Sequence, residues 1–289
     1  MLALLLQAST LPHFDSSRAW EHLRQLVALG PRPAGSPAIE QSRQYIKAQL
    51  AAAGVPVAEQ AWDADTPLGR VHMINLIATI RGASPDRLAI TGHYDTKLFR
   101  EFRFVGADDG GSSAAFLVEL ARVLKARKNS MTIELVFLDG EEAVVEWRGT
   151  DHTYGSRHYI EVAERDRSLA TLKAMVLVDM IADRNLGIRR DSNSTKWLTD
   201  IVWDAAAHLK FGAYFLPAAT AVEDDHLPFL AAGVPSVDII DLEYDAWHTQ
   251  RDTIEAVSAR SLQVVGDVVL AALPQIEAHF AKPAGRARP

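Results

Sequence analysis

Cysteine is missing from all 289 residues. That excludes disulfides, thiolate metal sites and cysteine nucleophiles together, so any metal must be held by His, Asp or Glu. No apolar stretch approaches the roughly 20 residues that span a bilayer. The opening MLALLLQAST is apolar but short and has no basic residue ahead of its run. It reads as a signal remnant or as a frayed apolar start, and an exported location, periplasmic or extracellular, is slightly preferred to a cytoplasmic one. Basic charge is in deficit, with 30 Lys and Arg against 37 Asp and Glu and a net charge of −7. Phosphate binding needs a basic face, so nucleic acid is not an expected partner. No internal repeat is present. What is present is apolar material, 48% of the chain, enough for a large core and too much for a disordered segment.

That material is patterned as α/β. Residues 14–29 carry Trp20, Leu23, Leu26 and Val27 at helical spacing behind Asp15 and Ser16 as caps. Ser36 and Pro37 predict a second helix start, with Gly54 as its stop. Strand-like runs follow at 73–80, 88–91, 132–138, 174–180 and 236–240, several of them apolar on both faces as in a sheet covered by helices on both sides. Helical patterns at 112–125, 156–163, 195–209 and 258–280 alternate with them. The order predicts one α/β domain over 13–281 with a mostly parallel mixed sheet flanked by helices. Residues 1–12 stand apart as the apolar start and 282–289 as a solvated tail.

Five segments concentrate His, Asp and Glu, most of them just after a predicted strand, the edge where open α/β sheets bind ligands. In TGHYDTK, His93 and Asp95 are two apart and point to one side of an extended chain. In GADDGGSS, Asp108 and Asp109 either charge a helix N-terminus or present a carboxylate inward from a tight turn. LDGEEA places Asp139, Glu141 and Glu142 within four residues of each other after a strongly apolar strand. Such acids raise each other's pKa unless a cation compensates, so a metal ligand beside a general acid/base is a better reading than a surface turn. Asp179 ends another apolar run, and an ionisable group there calls for a partner. The last segments are EDDH, 223–226, and AWHT, 246–249; His226 reads as structural, and His248 as either a packed aromatic corner or a ligand. His93, Asp109, Glu142, Asp179 and His248 together form a sulfur-free donor set suited to one or two zinc ions.

HYDTKLF, FVGADDGGSSA, FLDGEEAVVEW, YGSRH, LVDMI, EDDHLPFL and AWHT, in this order and spacing, resemble the glutaminyl-peptide cyclotransferases, which share their fold with the zinc aminopeptidases. The resemblance covers roughly residues 15–280. Lys97, Trp147, Glu223 to His226 and Trp247 look like the cyclase pattern. The resemblance implies one Zn2+ on Asp109, Glu142 and His248, with Glu141 as general acid/base. It implies Asp179 and Asp224 as a hydrogen-bonded acidic pair near the departing nitrogen. Trp147, Trp247 and Tyr244 are expected to line the substrate pocket. The expected substrate is the N-terminal glutamine of a peptide or protein, converted to pyroglutamate with release of ammonia by a monomer. The alternative is an aminopeptidase, with one or two zinc ions, in which His93 would join the second ion.

Overall fold

The computed structural model describes residues 13–281; the apolar start and the expected tail lie outside the described residues. α1 (Ser16–Ala28) begins where the Asp15 carboxylate accepts the amides of Ser17 and Arg18, and it buries Ala19, Leu23 and Leu26. α2 (Pro37–Ala52) has Ser36 as cap and Pro37 in its first turn, as the pattern predicts. β1 (Val57–Thr66), β2 (Gly69–Ile80), β3 (Ser84–His93), α3 (Gly111–Ala126), β4 (Met131–Leu138) and α4 (Tyr154–Arg165) follow. The remainder comprises β5 (Leu172–Asp179), β6 (Ile188–Asp191), α5 (Lys196–His208), β7 (Phe215–Thr220), α6 (His226–Ala231), β8 (Ser236–Ile240) and α7 (Ala259–Phe280).

Six strands form one sheet in the order β1-β2-β4-β3-β5-β8. β4, β3, β5 and β8 run parallel, while β1 and β2 are antiparallel to their neighbours. The sheet is mixed, with parallel strands forming its centre. Alternation decides which side chain meets which layer. Leu88, Ile90, Ile133, Leu135 and Val176 join the core with α1, α3, α5 and α7, whereas Ala89, Val136, Leu138 and Leu177 join Tyr159 of α4 and Phe229 of α6. Four elements escape the sequence pattern, the strands β1, β6 and β7 and the short helix α6. β1 is mostly solvent-facing and polar, and it is a strand because ten residues pair in register with β2. β6 and β7 form a separate two-stranded sheet too short to show periodicity. Among the described residues no helix is long and apolar enough to cross a membrane.

The parallel centre has a functional consequence. Four strands end on the same edge, so the loops after His93, Leu138, Asp179 and Ile240 open onto one crevice.

Candidate active site

β3 ends on His93 and its parallel neighbour β5 on Asp179, which brings His93 Nε2 to 3.1 Å from Asp179 Oδ1. The same nitrogen lies 3.3 Å from Asp109 Oδ1. Asp109 immediately precedes the turn into α3. Gly110 has φ of 78°, and a Cβ there would stand 2.2 Å from the Asp95 carbonyl oxygen, so only glycine lets this turn pack on the His93 loop. His248 follows β8 with a left-handed φ of 51°, a strained setting for a non-glycine residue. Its Nε2 lies 3.3 Å from Asp109 Oδ2 and 3.2 Å from Glu142 Oε1.

Two buried carboxylates hold the acids from behind. Asp95 accepts the amides of Glu141 and Glu142 at 3.2 and 3.3 Å. Asp252 accepts those of Asp108 and Asp109 at 2.8 and 3.2 Å, and the Tyr244 hydroxyl at 2.8 Å. Asp109, Glu141 and Glu142 are thus placed through their backbone amides, with their carboxylates lining the cavity.

The electrostatics call for a cation. Burial, then the Asp109 charge, raises the Glu142 carboxyl above its ordinary range. Burial also lifts Glu141 well above its usual value; the nearby His93 opposes this, and Glu142, Asp224 and Asp225 reinforce it. For His248, burial disfavours the charged ring, yet Asp109 and Glu142 outweigh it and push the imidazole up to about 9. Asp109 Oδ2 is buried without an aligned hydrogen bond. Asp109, Glu142 and His248 each offer a donor atom within 4.8 Å of the others, and so do His93, Asp109 and Asp179. Oxygen and imidazole donors with no sulfur suit a hard-to-borderline cation such as zinc, so the residues fit the ion.

These groups open into a cavity of about 420 Å³, with Asp109, Glu141, Glu142, Asp179 and Asp224 on its floor and Trp147 and Trp247 among its walls. A groove of about 470 Å³ between α4 and α6 shares Asp224 but has none of the donor triads.

Residues 75–273 match the family model of peptidase family M28. A mouse glutaminyl-peptide cyclotransferase-like protein is 32% identical, over 83% of this chain and 70% of that protein. Among solved structures, an Acidobacteriales bacterium glutaminyl cyclase is 38% identical with a TM-score of 0.89, covering 96% of this chain and all of that one. The chain belongs to peptidase family M28 and, within it, to the glutaminyl cyclases. A Zn-dependent exopeptidase from Parabacteroides distasonis, 25% identical with a TM-score of 0.81 over 91% of this chain and 99% of that one, has the same fold.

Within this family member, the structure gathers Asp109, Glu141, Glu142, Asp179, Asp224, His248, Trp147 and Trp247 around one cavity. Tyr244 is a correction. It is 4% exposed, packs with Met180, Val222 and Ile240, and spends its hydroxyl on Asp252 rather than on the cavity. Its aromatic character is visible in the sequence, but its direction is set by the loop after β8. Asp179 and Asp224 both face the cavity; Asp179 accepts from the Met180 amide and lies 3.1 Å from His93 Nε2, and Asp224 Oδ2 has no hydrogen-bond partner among the described residues. Burial and the Asp179 charge lift Asp224 well above its ordinary value. His226 is structural, fully buried with Nε2 3.1 Å from Asp191. Asp252 escapes sequence reasoning, because a carboxylate that serves only amides and a hydroxyl leaves no spacing signature. Lys97 Nζ lies 3.5 Å from Glu142 and donates to the Ala143 carbonyl.

Proposed function

We propose that the chain is a zinc-dependent glutaminyl-peptide cyclotransferase, closing an N-terminal glutamine to pyroglutamate with release of ammonia. The observation that carries this reading is the opening of the Asp109, Glu142 and His248 triad into a cavity bounded by Trp147 and Trp247, with Glu141 beside it. Asp109, Glu142 and His248 would hold the ion. What a zinc ion supplies there is Lewis-acid polarisation of the side-chain amide carbonyl.

The chain's own residues account for the rest. Nucleophile and electrophile belong to one glutamine, so the protein need only fold that side chain into a ring-like approach. Trp147 and Trp247 narrow the cavity and exclude extended rotamers. As the α-nitrogen bonds to the amide carbon, Glu141 takes the proton the amine gives up. It returns that proton to the amide nitrogen as the carbon–nitrogen bond breaks and ammonia leaves. A pKa lifted by burial and neighbouring acids suits a group that must both accept and donate near neutrality. Asp224, which lines the cavity, would accept a hydrogen bond from the leaving nitrogen.

A second reading has a specific observation in its favour. His93, Asp109 and Asp179 form another triad sharing Asp109, the arrangement expected of a two-zinc aminopeptidase. Incubating a glutamine-initiated peptide separates the two. Ammonia and a cyclised peptide are expected, with one zinc per chain by metal analysis. Free glutamine with two tightly held zinc ions overturns the cyclase reading in favour of the peptidase.

A further inference from the structure

Trp147 lies on a seven-residue loop, 144–150, that turns away from the acids and back to α4. Much of this loop is solvent-facing; Val145 is 55% exposed. A loop with so little buried apolar surface needs another source of shape. One side chain supplies it. Asp151 is 7% exposed, and its Oδ1 accepts the Val144 amide at 3.0 Å and the Tyr154 hydroxyl at 2.7 Å. Its Oδ2 accepts the amides of Val145 and Glu146, both at 2.9 Å. Three consecutive amides thus converge on one carboxylate directly before Trp147. Charge-assisted bonds of this kind are about twice as strong as neutral ones. The next residue, His152, stacks on the Trp147 indole with ring centroids 4.2 Å apart and planes 11° from parallel. The indole nitrogen donates to Glu223 at 3.4 Å.

We propose that Asp151 is the positioning residue for the Trp147 wall, fixing the loop that gives the cavity its shape before substrate arrives. Asp151 is not itself among the cavity-lining residues, but two of the amides it holds belong to Val145 and Glu146, which line the cavity beside Trp147, so its effect on turnover passes through residues 145–147. The kinetic part rests on the cyclase reading; the structural part does not.

Two measurements decide it. Arg148 sits on the exposed part of the loop, so limited trypsin digestion of the folded protein reports its shape directly. Asp151→Ala should be cut at Arg148 about tenfold faster than the parent, as expected when local opening becomes easier. Tyr154→Phe, which removes one of the four donors, should be cut about twofold faster. It serves as the test should Asp151→Ala fail to fold. In cyclisation assays, Asp151→Ala and Trp147→Ala should each lower kcat/KM about tenfold, with part of the loss in kcat because the wall folds the glutamine side chain into its reactive shape. The double variant should lose less than the two single losses combined, since both changes act on one wall. Parental digestion rates in the variants overturn the brace, and fully additive losses in kcat/KM overturn its action through the Trp147 wall. If no glutaminyl peptide is turned over at all, the cyclase reading falls while digestion still decides the brace.

Discussion

The two halves of the site share Asp109 but are built differently. On the closed side, His93 is 1% exposed and ringed by carboxylates, with Asp179, Asp109, Asp95 and Glu141 between 3.1 and 3.8 Å away. Burial opposes charge on that ring, yet Asp179 and Glu141 raise it well above its ordinary value. An imidazolium can therefore supply the closed half with its own positive charge. On the open side, His248 keeps 26% of its side chain accessible and has two carboxylates beside it, Asp109 and Glu142. The lesson is one of access. A catalytic cation needs a position free for substrate, and only the open half borders the tryptophan-walled cavity through all its donors.

The sharpest test of that division removes the proton carrier proposed beside the open half. Glu141→Gln should lower turnover by about 10²-fold or more, the scale of a lost general acid/base, with zinc content unchanged. Retained turnover would end its assignment. Next comes the contrast itself. His248→Ala should abolish tight zinc binding and turnover together, whereas His93→Ala should leave one zinc per chain by metal analysis. Loss of a second zinc in His93→Ala would erase the distinction and favour a two-metal peptidase. Asp252→Asn acts further back, on the Asp108 and Asp109 amides. It should weaken zinc affinity by about 10- to 100-fold, the usual cost of a lost supporting hydrogen bond around a metal, measured by competition with a chelator.

The smallest effect is a pH dependence. With its value raised from 6.5 to about 9, protonated His248 contributes stability that is complete below 6.5 and lost as pH rises through about 9. Partial exposure reduces the size of that contribution. Chelator-stripped protein should lose on the order of 1 kcal/mol between those limits, read as a falling Tm. Zinc-loaded protein should show no such fall, because a ligating imidazole carries no proton on its metal-bound nitrogen.

Much of this architecture is legible in the amino-acid sequence. Asp15, Ser36 and Pro37 announce the first two helices through capping chemistry, and the apolar runs at 132–138 and 174–180 fall on β4 and β5. Carboxylates at the ends of such runs mark the functional edge, because a charge there needs a partner. β1 is not legible, because an edge strand can be polar and derive its shape from pairing alone. Tyr244 misleads for a related reason: an aromatic beside a histidine names a residue type and leaves its direction open.

By itself, the sequence determined the donor chemistry, oxygen and imidazole without sulfur, and the local elements that periodicity and caps encode. Tertiary structure alone decided that Asp109 serves both triads, that Asp95, Asp151 and Asp252 act on backbone amides, and that Tyr244 turns from the cavity. Local propensity is written in neighbouring residues. These contacts join segments up to 144 positions apart, and the order of strands in the sheet, which no single segment carries, brings them together.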